Sequence, residues 1–443
     1  MARESRGKSG PHAPAALAIL AAVSLLTAAV QADAAAPLDR KYGPEASFDS
    51  APTPVPDRIV LSWTGDPATS RAVTWRTGPA VRKAFAEIAF ADPSPKFYEG
   101  ARRLEARSEL LLGEGPPARY HSIVFDGLRP DTWYAYRVGS DKGWSEWFQF
   151  RTATGVYAPF SFLYLGDAQN NLPAMWARVV RGAYAAAPDA RFLLCAGDLV
   201  SDGADDAQWG GWFRALDWIG AVVPVLPATG NHEYINDSTI NKHWRSQFTL
   251  PENGISGLGE TCYFTDCDGM RLVVLNSNVE LEKQASWLGG VLARNANKWT
   301  VVAFHHPVYS GTRDRDNKDV RRLWKPLFDR YGVDLVLQGH DHVYARGRGP
   351  SGAGAPRGDE ADPVYVVSVS GPKMYERTED RWMDRAGENT QLYQVVSVEG
   401  DTLRFRSYTA TNDLYDAFDI VKPAGSEGRF VDRAPVGVPE RGF

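Results

Sequence analysis

The sequence predicts a two-part chain: an all-β sandwich followed by an α/β (α+β) sandwich built from βαβ units. The first observation is a run of short segments, RIVLSWTG, SRAVTWRT, KAFAEIAF, RYHSIVFDGL, TWYAYRVG and SEWFQFRT, which alternate apolar with polar residues and are rich in β-branched and aromatic side chains. The second is a change of rhythm after Thr152-Ala153-Thr154-Gly155, where buried strands begin to alternate with amphipathic helices. A third is the recurrence of Asp, Asn and His wherever those later strands end.

Bulk properties bound the answer. At 443 residues, with 44% hydrophobic and 23% charged residues, the chain is long enough for two or three cored domains. A formal charge of -5 gives no basic field to attract a polyanion, so nucleic acid is not expected as a partner. Arg3, Arg6 and Lys8 precede an apolar run from Ala15 to Val30 and the small residues Ala32 and Ala34. That order reads as a signal peptide over residues 1–34, removed on export to the periplasm or medium, and it leaves no transmembrane segment in the mature chain.

Residues 35–52 lack periodicity and read as a linker, and residues 53–154 carry the β-sandwich, of about seven strands. From 155 to 425 the expected order is the strand FSFLYLGD, a helix in LPAMWARVVRGAYAAA, the strand RFLLCAGD, a helix in DAQWGGWFRALDWIG and the strand VVPVLPATGNHE. The hairpin TCYFTDCDGMRLVVLNS follows, then two further helix-strand alternations through KWTVVAFHH and VDLVLQGHDH. The segments VYVVSVSG, QLYQVVSVEG and TLRFRSYTA close the domain as strands, and 426–443 read as an irregular tail. The stretch PSGAGAPRGDEAD reads as a mobile loop. An export compartment would permit a disulfide between Cys262 and Cys267, while Cys195 reads as a core thiol.

The chemistry is concentrated in five strand-end motifs: GDAQ at Gly166, GDLV at Gly197, GNHE at Gly230, FHHP at Phe304 and GHDH at Gly339. Five of the eight histidines fall there, and loops at the carboxyl ends of neighbouring strands converge on one crevice. Two cations about 3.5–4 Å apart would supply both a nucleophile at neutral pH and positive charge for an anionic group such as a phosphate ester. A cation pair that close needs an anion between its members, and Asp198 is the candidate. The mixed Asp, Asn and His set suits two divalent or trivalent ions of iron, manganese or zinc rather than calcium.

This ordered set resembles the calcineurin-like metallophosphoesterase superfamily. Because GLRPDTWYAYRVG also resembles the fibronectin type III pattern around its tyrosine corner, the chain is similar in particular to the purple acid phosphatase branch. The resemblance implies Asp167 and His342 at a first metal, Asn231, His305 and His340 at a second, and Asp198 shared. It implies His232 as the residue that contacts phosphate and assists the leaving group, with Glu233 expected to orient it. Two positions depart from the family pattern. Ser201 stands where the purple enzymes have a tyrosinate, so no purple colour is expected. Gln169 stands where other members have His, and is expected to offer its side-chain oxygen as a weaker ligand.

Other residues carry weaker expectations. His306 and, after the GHDH motif, Tyr344 and Arg346 are candidate substrate or supporting residues; His243 is expected on a helix surface, and Tyr309, Arg313 and Arg315 either face substrate or belong to a solvated loop, the latter favoured. The function implied is hydrolysis of a small-molecule or lipid phosphate ester, foremost a monoester, by a metal-bound hydroxide. A phosphodiester, nucleotide or phospholipid would use the same centre with different walls. A degenerate, non-catalytic binding protein is the rival of another class, argued for by Gln169 and Ser201 alone.

Overall fold

The structure, a computed structural model, describes residues 51–442 except 114, 237, 350–361, 426 and 427. The signal peptide, nearly all of the linker and the Gly-rich loop expected from the sequence lie outside the described residues.

Among the described residues the alternation produces nine strands, rather than about seven, in two antiparallel sheets before residue 152. One sheet runs Asp57–Ser62, Arg71–Thr77, Ala118–Phe125, Arg107–Leu111. The other runs Arg102–Glu105, Phe85–Phe90, Trp133–Ser140, Gly143–Trp144, with Phe148–Arg151 also paired to Trp133–Ser140. Alternate side chains meet between them in a core of Leu61, Val73, Trp75, Phe125, Tyr136 and Val138. Tyr134 Oη accepts from the Arg129 amide at 2.9 Å, the bond that defines a tyrosine corner.

Among the described residues the rest of the chain forms two seven-stranded mixed sheets and a two-stranded ribbon of Tyr234–Asn236 and Thr239–Ile240. The first is ordered Val225–Pro227, Leu193–Cys195, Phe160–Leu165, Leu392–Glu399, Thr402–Thr409, Leu414–Val421, Arg429–Asp432, its first three strands parallel. The second is ordered Tyr263–Cys267, Met270–Val274, Trp299–Ala303, Leu335–Gln338, Val364–Val367, Tyr344–Gly347, Arg385–Gly387. In the second sheet the period of two divides the strands between two cores. Val301, Ala303, Leu335 and Leu337 join Leu163, Leu165 and Leu194 between the sheets. Val302 and Val336 instead face Leu288, Val291, Trp324 and Phe328 of the outer helices Leu281–Ala293 and Lys318–Tyr331. On the other side, helix Asp206–Leu216 starts where the Asp205 carboxylate accepts from the Ala207 amide at 2.9 Å.

Three sequence expectations change. The tail is not irregular throughout: Arg429–Asp432 pairs with Leu414–Val421 as an edge strand. Cys262 and Cys267 are free thiols, because a separation of five along a strand sends them to opposite faces, one to each core. His243 is buried, not at the surface, with Nδ1 3.7 Å from Asp206 Oδ1.

Candidate metal centre

All five motifs sit where a strand stops. Asp167, Asp198 and Asn231 follow three adjacent strands of the first sheet, and His305 and His340–His342 follow two adjacent strands of the second. Asp167, Asp198, His340 and His342 adopt φ values of 39°, 50°, 76° and 51°, a region that L side chains rarely occupy. Four such residues in one crevice hold strain that the packed sheets must impose. The motif glycines make room for them. A Cβ at Gly230 would strike Asp198 Oδ1, and one at Gly339 would strike Asp167 Oδ2.

The donor atoms converge. His305 Nδ1 donates to the Ala196 carbonyl at 2.8 Å, so the ring turns Nε2 inward, where it offers a lone pair once a cation takes the place of its proton. That nitrogen lies 3.2 Å from Asp198 Oδ2, 3.2 Å from Asn231 Oδ1 and 3.1 Å from His340 Nδ1. His342 Nδ1 likewise donates to the Lys373 carbonyl at 2.9 Å and leaves Nε2 3.6 Å from Asp167 Oδ1. Backbone carbonyls fixing imidazoles in this way are the usual support of metal ligands. One proton cannot satisfy so many acceptors, whereas cations can, and the donors of Asp167, Asp198 and His305 lie within 4.8 Å of one another.

Electrostatics say the same. Burial pushes the Asp167 carboxyl well above the usual range, and the Asp198 charge adds to this against the pull of His305. Asp198 feels the same burial, yet His305 and His232 hold it below the usual range. Burial opposes protonation of His305, but Asp198 and Asp167 raise it to about 9. His342 is pushed down to about 3, by burial and then by Lys373. Two buried carboxylates thus recruit a proton on an imidazole as their counter-charge, a place that metal cations fit.

His232 hangs over this group. Its amide donates to Asp198 Oδ1 at 3.1 Å, its Nδ1 is 2.5 Å from the Ser201 carbonyl, and its Nε2 lies 3.9 Å from Asp198 Oδ2. Beside it opens a cleft of about 750 Å³, lined by Asn231, Tyr234, Asn278, His306 and Asn317 among others. His306 Nδ1 lies 2.9 Å from Ser277 Oγ, its donor atom falls within 4.8 Å of those of His305 and His340, and burial lowers its pKa to about 3.

Several roles expected from the sequence are corrected. Glu233 does not orient His232; its fully buried carboxylate accepts from the amides of Asp198, Leu199 and Gly230 at 3.0, 2.9 and 2.7 Å and so shapes the loop. Gln169 does not turn its oxygen to the centre: Oε1 accepts from Lys373 Nζ at 2.9 Å, and Nε2 faces Asp198 Oδ2 at 3.4 Å. Tyr344 and Arg346 do not face substrate, being fully buried and bonded to Asp416 at 2.6 and 2.9 Å. Arg315, expected in a solvated loop, binds the His340 carbonyl at 2.6 Å.

Sequence reasoning missed Lys373 and Tyr375. Both follow strand Val364–Val367 in the segment SGPKMY, so the strand-end rule reaches them, but neither is a metal-binding residue type. Gly371 lets this segment lie directly on the Asp167–Gln169 backbone.

Paired mixed sheets with a strand-end cluster of this kind define a metal-dependent phosphoesterase. Residues 160–344 match the calcineurin-like phosphoesterase family and residues 56–152 match the purple acid phosphatase N-terminal domain. The chain belongs to the calcineurin-like phosphoesterases, in the branch that carries the purple acid phosphatase N-terminal domain. It is 27% identical over 328 residues to acid phosphatase type 7 of Mus musculus, covering 67% of this chain and 71% of that protein. It is 24% identical over 330 residues to purple acid phosphatase 18 of Arabidopsis thaliana, covering 72% and 71%. The fold matches the purple acid phosphatase PPD1 of yellow lupin with a TM-score of 0.71 at 16% identity, over 84% of this chain and 75% of that one. It also matches PhoD with a TM-score of 0.63 at 12% identity, over 89% and 95%.

Proposed function

We propose that this phosphatase hydrolyses phosphate monoesters at a pair of cations, with Asp167 and His342 on the first, Asn231, His305 and His340 on the second, and Asp198 between them. The observation that supports this most is the inward-facing Nε2 of His305, which Asp198, Asn231 and His340 all approach within 3.2 Å. Two such cations supply charge for the phosphoryl oxygens and a nucleophilic water at neutral pH. The chain's own residues do the rest. Asp198 and Asp167 neutralise the buried charge, and the amides held by Glu233 keep Asp198 in its strained conformation.

His232, its Nδ1 held by the Ser201 carbonyl, presents Nε2 to the phosphate and protonates the departing oxygen. The adjoining cleft takes the leaving group. In this reading residues 53–154 form the supporting module and 155–425 the catalytic one, with export following loss of residues 1–34. Among the described residues no helix is long and apolar enough to cross a membrane.

The test is metal analysis of the full chain together with hydrolysis of an aryl phosphate and the corresponding bis-aryl diester, with iron, manganese and zinc added. Two bound metals and monoester turnover are expected. Preference for the diester would move the assignment to a phosphodiesterase, and a metal-free, inactive chain would make it a binding protein.

A further inference from the structure

Resting on the phosphoesterase reading above, we propose that Lys373 and Arg315, grouped on the ring of Tyr375, form a two-cation clamp for the third terminal oxygen of a phosphomonoester. Arg315 Cζ lies 5.0 Å and Lys373 Nζ 5.4 Å from the Tyr375 ring centroid, and that ring packs edge-on against the His342 imidazole with centroids 4.8 Å apart. The cluster therefore borders the candidate metal centre beside His342 and Gln169. All three side chains are half-buried.

Their donors are only partly used. Lys373 Nζ spends one of three N–H groups on Gln169 Oε1 and has no carboxylate partner among the described residues. Arg315 commits Nη1 to the His340 carbonyl at 2.6 Å and Asp341 Oδ1 at 3.4 Å, leaving the other edge of its guanidinium. Ring contacts hold both cations in place at little desolvation cost. With Gln169 and Ser201 neutral, Asp167 and Asp198 are the two carboxylates of the proposed ligand set. Arg315 is paired with Asp341, so the ammonium of Lys373, with no carboxylate of its own among the described residues, is the charge that an arriving anion would meet.

Counting oxygens gives the substrate class. A diester has two non-bridging oxygens, whose charge the proposed pair of cations would satisfy. A monoester dianion has three, and the third carries charge toward the clamp, where charge-assisted hydrogen bonds are the strong ones. The clamp thus selects monoesters over diesters.

The experiment compares the full metal-loaded chain with Lys373→Met, Lys373→Arg and Arg315→Met. Metal content, inorganic phosphate affinity by calorimetry, and kcat/KM for aryl phosphate and bis-aryl diester are read together. Lys373→Met is expected to keep its metals, bind phosphate about 10- to 100-fold more weakly, and lose monoester kcat/KM by a similar factor with the diester nearly unaffected. Lys373→Arg restores most of the loss, and Arg315→Met shows a loss of phosphate affinity at full metal content. Phosphate affinity unchanged in Lys373→Met, or equal loss on both esters, overturns the clamp while the phosphoesterase reading stands. A wild-type chain that binds two metals but hydrolyses neither ester defeats that reading instead, and the phosphate affinities then still decide for or against the clamp.

Discussion

His305 donates its Nδ1 proton to the Ala196 carbonyl at 2.8 Å, and that single bond turns the ring's other nitrogen toward Asp198. Truncating His305 removes both the lone pair at the centre of the proposed second-metal site and the lock on its geometry. His305→Ala is expected to lose one metal equivalent and essentially all turnover, while the strands beneath stay folded. Metal analysis with far-ultraviolet circular dichroism checks this; two metals retained at wild-type affinity would remove His305 from the ligand set.

His232 touches Asp198 through its amide but reaches the proposed substrate only through its ring. His232→Ala should therefore keep both metals and lower kcat by about 10² to 10⁴, the usual worth of a proton donor. Steady-state kinetics beside metal content provides the readout. Loss of metal with the ring would make His232 a structural residue of the loop.

Gln169 hands its oxygen to Lys373 and its amide nitrogen to Asp198. Gln169→Ala is expected to leave metal stoichiometry intact and to weaken monoester binding by loosening Lys373. A selective fall in first-metal affinity, measured by competition with a chelator, would restore Gln169 as a ligand.

Much of this was legible from residue types at strand ends. Period-two alternation separated the sandwich from the βαβ units, and the Gly-Asp, Gly-Asn and Gly-His pairs marked the crevice because glycine, a left-handed turn and a ligand are needed together there. Lys373 was not legible as a site residue, and Arg315 read as a solvated loop residue more readily than a substrate-facing one, since lysine and arginine are common in loops and only packing brings both to Tyr375. His243 read as surface because Lys242–Gln247 is a short helix with charged residues. It is buried because Trp244 and Gln247 dock with it, near the buried Arg58–Asp206 pair, 2.7 Å apart, that ties the first strand to helix Asp206–Leu216. Arg429–Asp432 escaped notice because an edge strand with one buried side chain shows little alternation.

Glu233 shows how the loop strain is maintained. Removing its carboxylate would strand three buried amides, each worth about 1–3 kcal/mol when left unsatisfied. Glu233→Ala should lower stability by several kcal/mol and release metal, even though Glu233 is no ligand. Glu233→Gln, with one acceptor in place of two, should fall between. Thermal unfolding combined with metal analysis decides; wild-type melting with full metal content in Glu233→Ala would show that the loop holds itself.

Far from the centre, His121 lies buried on strand Ala118–Phe125 with Nε2 2.8 Å from Thr77 Oγ1 and Nδ1 2.7 Å from Ser108 Oγ. Burial, helped by Arg119, pushes its pKa down to about 4, against about 6.5 in an unfolded chain. Between those values the unfolded chain takes up a proton that the folded chain refuses. Its contribution is therefore fully present above pH 6.5 and is lost as the pH falls, at about 1.4 kcal/mol per unit. Lowering the pH from 7 to 5 should cost about 2 kcal/mol through this one residue. His121→Gln, which keeps a donor and an acceptor but cannot titrate, should lose less stability over that interval than the native chain. Thermal unfolding at the two pH values measures the difference, and identical pH dependence in both chains would mean that His121 titrates near its ordinary value in the folded sandwich.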